Sequence, residues 1–154
     1  MQRRDEIQVV SRNKKAGHDY FILEKLEAGI ELYGTEIKSI RLGKCSINEA
    51  YVEIKNEQAK IIGMHISKYK EGNIFNHDET RDRKLLLHKK EILKLQGKVQ
   101  KESLTIIPLE VYIKHGLAKV EIALCQGKKN YDKREALKQE ENRRAISKAM
   151  NFKR

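Results

Sequence analysis

Apolar and polar residues alternate along several stretches of the chain, and each such stretch predicts a strand with one buried face. The clearest is residues 117–126, LAKVEIALCQ, where Leu117, Val120, Ile122 and Leu124 are set among Lys119 and Glu121 and Gly127 ends the run. Residues 105–114 supply its hairpin partner, with the turn at His115 and Gly116. A second hairpin joins 50–55 to 59–67 across Asn56 and Glu57. Nearer the start, 7–10 is a short strand, and 20–26 and 30–33 read as two strands hinged at Ala28 and Gly29. Pro108, the only proline, has no N–H for a ladder, so its strand must place it at an edge or a bulge.

Helical spacing appears twice. Thr35 is placed to cap a short helix, TEIKSIRLG, with Ile37 and Ile40 on its inner face and Gly43 as its stop. Residues 85–99 predict a second helix, with Ile92, Leu95 and Val99 on one face and Glu91 and Lys94 turned outward. The polar stretch 69–83, with Gly72, Asn73 and Asn76, reads as a long loop. Because helices do not alternate with strands, a βαβ fold is excluded. The pattern fits a mainly β fold, a six-stranded antiparallel OB-like barrel with short flanking helices. Residues 1–126 form that body. Residues 127–154 are a basic, loosely ordered tail, which beyond Arg134 is helix-permissive but too polar to bury a face.

Charge sharpens the picture. The chain has 154 residues, 39% apolar and 36% charged, which is room for one lean core under a heavily charged surface. Of the net +11, residues 127–154 hold +6, so less than a fifth of the chain carries over half the excess. Such asymmetry points to a polyanionic partner. A membrane is the poorer reading, since no stretch approaches the roughly 20 apolar residues of a span and no signal segment opens the chain. Cys45 and Cys125 stand alone without CxxC spacing, so neither a disulfide framework nor a zinc site is expected. They read as small packing residues in a reducing, cytoplasmic compartment.

Candidate chemistry is sparse. His18, His65, His77, His88 and His115 form no HxxxH or HExxH pair. His18 with Asp19 and His77 with Asp78 resemble acid–base pairs, but neighbours in an extended segment point to opposite faces. Glu27 and Glu36 read as surface partners of Lys38 or Arg41. No phosphate loop, nucleophile elbow or metal signature is present, so neither an enzyme nor a cofactor or metal site is expected. Three basic clusters carry more weight: 12–15; Arg81, Arg83 and Lys84 leading into Leu85, Leu86 and Leu87; and 128–134. Tyr20, Tyr69, Phe75 and Tyr131 flank them, and cations with aromatics suit phosphates and unpaired bases. The three leucines read as the start of a packed helix.

Three blocks, NKKAGHDYFILEKLEAGIELYGTEIKSIRLGK, RDRKLLLHKKEI and IPLEVYIKHGLAKVEIALCQGKKNYDKR, resemble small protein B, the family that partners tmRNA in bacterial trans-translation. The resemblance runs in order from Asn13 to Arg134. It implies a six-stranded OB-type barrel that binds the tRNA-like domain of tmRNA, standing in for an absent anticodon arm. It also implies a basic tail that enters the decoding centre and mRNA path of the small subunit on a stalled ribosome. Carried over by residue, it places RNA contacts at Asn13, Lys14, Glu27, Leu86 and Lys119; Arg41, Arg83 and Lys84 join them as candidate tmRNA-binding cations. It places the decoding-centre motif at Gly127, Lys128, Lys129, Tyr131, Asp132, Lys133 and Arg134.

The chain departs from the family pattern at Glu79, where many relatives have proline, and at Gln126, where lysine is common; Tyr131 fills a position that also takes histidine. The implied protein is a non-enzymatic adaptor, and an exposed basic barrel is more naturally a monomer, although the sequence leaves the oligomeric state open. Its rivals are a general basic ribosome-associated protein held by charge alone and, less favoured, an RNA-processing enzyme.

Overall fold

The computed structural model describes residues 7–71 and 76–128. The loop residues Gly72, Asn73 and Phe75 and the tail residues Lys129, Tyr131, Asp132, Lys133 and Arg134 lie outside that range. The elements are β1 (Ile7–Arg12), α1 (Ala16–Asp19), β2 (Tyr20–Ile30), α2 (Gly34–Arg41), β3 (Cys45–Ser46), β4 (Tyr51–Lys55) and β5 (Gln58–Ile62), then β6 (His65–Ile66), β7 (Arg83–Leu86), α3 (Lys89–Glu102), β8 (Thr105–Lys114) and β9 (Leu117–Gly127).

Six strands hydrogen-bond in a ring, β8-β4-β5-β7-β2-β9 and back to β8, and every pairing is antiparallel. β3 and β6 form a separate two-stranded ladder. This mainly β ring is the architecture the alternation predicts. β9 runs along one edge of β8 for its full length, while β4 and β1 share the other edge. Val52 of β4 pairs with Ile106, and β1 pairs from Glu110 to Lys114. The register of β8 against β9 shifts between Pro108 and Glu110, so the proline sits at a bulge. Asn13 secures the opposite side there: its N–H donates to Leu109 O (2.8 Å) and its side-chain amide to Pro108 O (3.1 Å). Both hairpins turn where expected. Asn56 and Glu57 (φ 53° and 59°) and His115 and Gly116 (φ 53° and 75°) take the left-handed pair that two-residue hairpins favour.

The main core fills the ring with Ile40, Ile47, Ile61, Leu85, Leu95, Val111, Val120 and Ile122 among its members. A smaller cluster, Ala16, Ile107, Leu109, Ala123 and Cys125, lies under α1. The open end of the β8–β9 hairpin is therefore covered on both faces, which explains why IIPL is a continuous apolar run. Burial pushes the thiols of Cys45 and Cys125 up to about 11, so both pack as apolar groups.

Several expectations are corrected. β2 does not hinge at Ala28 and Gly29: its ladder with β9 continues through the pair Gly29–Lys119, and its irregularity lies between Ile22 and Glu24. The predicted helix 85–99 begins only at Lys89, because Leu85 and Leu86 belong to β7, between β5 and β2. Arg83 and Leu85 face in while Lys84 and Leu86 face out, an alternation disguised by an arginine at an interior position. Thr35 does not cap α2. Tyr33 is the N-cap, and its N–H donates to Glu36 Oε1 (2.8 Å). The Thr35 hydroxyl instead bonds His77 Nδ1 (2.9 Å), whose Nε2 donates to Ile66 O (2.9 Å).

Glu36 and Arg83 are both fully buried. Glu36, expected to pair at the surface with Lys38 or Arg41, instead accepts from Arg83 Nε and, bidentately, from Arg81 (2.6 and 3.1 Å). The other four N–H donors of Arg83 reach Met64 O, Arg81 O, Asp78 O and Glu79 O (2.7–3.3 Å). With every donor used, burial of the charge is compensated. Glu79, at the position where many relatives have proline, also accepts from Ile66 N–H at its carbonyl (2.9 Å) and contacts His65 Nε2 with its carboxylate (2.7 Å).

Burial alone would raise the Glu36 carboxyl, but the Arg81 hydrogen bonds, the Tyr33 N–H and Arg83 together bring it below the ordinary 4.5. A carboxyl depressed on folding stabilises the fold fully above its unfolded value and loses that contribution as pH falls through the folded one. Glu36→Gln is expected to cost roughly 3–5 kcal/mol, the usual result of breaking a buried pair, as read from urea unfolding at pH 7. The difference from wild type should shrink below about pH 4. A loss under ~1 kcal/mol at pH 7 would contradict this role for the pair.

Candidate nucleic-acid interface

A groove of about 680 Å³ opens on the outer side of the ring, where β2, β7 and the start of β5 meet the first turn of α3. Glu27, Lys84, Leu86 and Lys119 all line it. They come from three separate sequence blocks, and the register delivers them to one place. Leu86 lies across Gly29: a Cβ there would stand 3.3 Å from Leu86 Cβ, so the glycine gives the leucine its seat. Leu86 remains 53% exposed, an apolar side chain presented to solvent by a strand whose inner residues are buried. Lys84 is on the same outward face. Gln58, His88 and Lys89 also line it, as do the acids Glu57 and Glu91 at its α3 end.

Glu27 has a specific setting. Directly opposite it on β9 stands Glu121, a like-charge pair that is unfavourable by itself. Tyr112, buried in β8, donates its phenol proton to Glu27 Oε2, and Lys114 Nζ lies 3.4 Å from the same oxygen. The Tyr112 bond, against a partial burial that works the other way, joins Lys114 and Lys119 in holding the carboxyl below its ordinary value. Burial first, then Glu27, pushes the Tyr112 hydroxyl up, so it stays a donor. The result is an ionised carboxylate fixed at the groove wall with acceptor capacity to spare, suited to amino or ring N–H groups of a base.

Tyr112 and Lys114 were missed in the sequence. Their i, i+2 spacing puts them on one face of a strand, but which acid they meet depends on register across three strands.

Other predicted residues lie elsewhere. Asn13 and Lys14 follow β1, and neither lines the groove. Asn13 borders a smaller recess of about 220 Å³ with Lys15, Asn48 and Tyr51, and its side chain is committed to Pro108 O and to the N–H of Lys15 (3.2 Å). Arg41 is exposed in the last turn of α2, outside the groove. Arg83 is corrected: fully buried and saturated by internal acceptors, it has no surface to offer RNA. His18 and Asp19 do not point apart, because α1 curls them together at the surface with Nδ1 3.0 Å from Oδ1. Gly127 closes β9 opposite Tyr20. Lys128 donates to Gly17 O (2.9 Å) and sits 5.1 Å from the centre of the Phe21 ring.

A family profile described as SmpB protein matches residues 10–152. The chain belongs to the SmpB family. Among SmpB relatives, the SsrA-binding protein of Desulfitobacterium hafniense (strain DSM 10664 / DCB-2) is 54% identical over 140 residues, covering 91% of this chain and 90% of its own. That of Shouchella clausii is 54% identical over 145 residues, 94% of this chain and 93% of its own. A chain in a solved structure of tmRNA–SmpB and the bacterial ribosome superposes with a TM-score of 0.66 at 44% identity, over 88% of this chain and 95% of that one.

Removing the Tyr112 hydroxyl should release Glu27. In Tyr112→Phe the Glu27 carboxyl, followed by its side-chain carbon resonance, is expected to titrate higher than in wild type, nearer the ordinary 4.5. An unchanged titration would show that Lys114 and Lys119 hold it without the phenol.

Proposed function

We propose that this protein is a non-enzymatic adaptor that binds the tRNA-like domain of tmRNA through the groove and carries tmRNA to stalled ribosomes for trans-translation. The observation that carries the reading is the convergence of Glu27, Lys84, Leu86 and Lys119 on one groove. The names of the SsrA-binding relatives and the subject of the solved structure support it.

Each groove residue has a task that requires no bond to be broken. Lys84 and Lys119 neutralise phosphates and release counterions. Leu86 packs against an unstacked base or a sugar, and Glu27 accepts from base N–H groups, which phosphate cannot supply. Phosphate contacts give affinity, while Glu27 and Leu86 give a preference for one folded RNA. Residues 127–154, beginning at Gly127 and Lys128, serve a second site: Lys129, Lys133 and Arg134 hold ribosomal phosphates and Tyr131 stacks on a base in the decoding centre. The body then selects tmRNA, and the tail lets the ribosome accept it without a codon.

Leu86→Ala and Lys119→Ala are each expected to weaken binding of the tRNA-like domain by roughly 1–3 kcal/mol, measured by titration at physiological salt. Truncation after Gln126 should leave that binding near wild type and abolish tagging in a reconstituted translation system. Equal loss of both activities on truncation would overturn the division between body and tail. Groove variants that bind normally would overturn the assignment of the groove.

A further inference from the structure

We propose that Tyr33, backed by Arg81, is a stacking platform for an unpaired nucleobase, forming a second RNA contact outside the groove. Tyr33 sits between β2 and α2 and is 60% exposed, unusual for a tyrosine at the joint of two elements. One face of its ring is covered by the Arg81 guanidinium, 4.2 Å from the ring centre. That guanidinium cannot swing away: it donates to both carboxylate oxygens of buried Glu36, to Glu31 O (3.4 Å) and to Asp82 O (3.2 Å). The Tyr33 N–H is itself held by Glu36 (2.8 Å). One carboxylate thus anchors both the guanidinium and the Tyr33 backbone, while most of the Tyr33 surface stays open to solvent. Ordering such a surface before a ligand arrives lowers the entropic cost of binding.

The surroundings select RNA as the occupant. Lys38 and Arg41 lie one turn apart on the exposed side of α2, and Lys38 Nζ stands 5.4 Å from the centre of the Tyr69 ring. Two tyrosines, each beside a cation, followed by a further cation, repeat the alternation of stacking and phosphate contact found in single-strand binding surfaces. Glu31 and Asp82, whose carbonyls hold Arg81, are exposed acids that repel phosphate, so the backbone of a bound strand is expected to run over Lys38 and Arg41 of α2. Neither Tyr33 nor Arg81 lines the groove. The platform rests on the groove reading only in taking RNA as the partner.

The test uses the full chain and a fluorescently labelled, unstructured 12-nucleotide RNA as the probe, alongside the tRNA-like domain. Tyr33→Ala is expected to weaken oligonucleotide binding roughly fivefold or more, with Tyr33→Phe within about twofold of wild type, because stacking needs the ring and not the hydroxyl. Lys38→Ala should lower the salt slope by about one. Equal urea midpoints for Tyr33→Phe and wild type, and a cooperative transition for Tyr33→Ala, establish that the variants fold. Oligonucleotide binding unchanged in Tyr33→Ala would overturn the platform, as would equal loss in Tyr33→Phe or full retention in Tyr33→Leu. Lys119→Ala, assayed on the tRNA-like domain, separates this outcome from failure of the groove reading.

Discussion

The buried ion pair between Glu36 and Arg83 is the constraint on which the exposed chemistry depends. Two charges inside a protein are costly unless all their hydrogen-bonding capacity is met. Here one carboxylate receives Arg83, Arg81 and the N–H of Tyr33, the N-cap of α2, and Arg83 spends its remaining donors on four carbonyls of Met64, Asp78, Glu79 and Arg81. That single junction binds α2, the 78–82 segment and β7 together. Its consequence reaches the groove through the period of a strand. With Arg83 pointing inward, Lys84 must point out, Leu85 in and Leu86 out. A one-residue slip of β7 would bury the groove's lysine and leucine and expose the arginine. The same carboxylate orients Arg81 over Tyr33, so the interior pair also organises the surface of α2.

The groove answers a difficulty posed by its own composition. A protein of net charge +11 binds polyanions without discrimination if cations alone face them. In the proposed reading, an ionised acid among the lysines penalises a bare phosphate backbone and rewards a partner that brings base N–H groups to the same point. For that discrimination the carboxylate has to be held in position, and Tyr112 holds it from the far side of β9. The apolar contribution of Leu86 is available because Gly29 provides no side chain beneath it.

Much of this fold is written locally. Asn56-Glu57 and His115-Gly116 sit between alternating runs of matched length, and both pairs adopt the turn that such runs require. Pro108 announces its bulge by lacking a donor. Apart from the local turn that joins His18 to Asp19, the differences share one cause: a residue whose environment is made by distant parts of the chain. Arg83 looked like a member of a surface cluster because nothing near it in sequence reveals Glu36, 47 positions away. The same residue hid β7 and lent its leucines to a helix. Ala28-Gly29 resembled a hinge because small residues loosen an isolated strand, whereas here Gly29 admits Leu86 and Ala28 packs in the core. Family blocks located Glu27, Leu86 and Lys119, but only the register across β2, β9 and β8 reveals Tyr112 as the partner of Glu27.

The central claim is that the groove recognises a particular folded RNA and not merely charge. Competition binding of the tRNA-like domain of tmRNA against alanine tRNA, across a salt series, tests it most directly. The account predicts a preference for the tRNA-like domain that persists at physiological salt, because Glu27 and Leu86 contribute terms that counterion release does not screen. Equal affinities that collapse together as salt rises would contradict it, leaving a basic protein held by phosphate contacts alone.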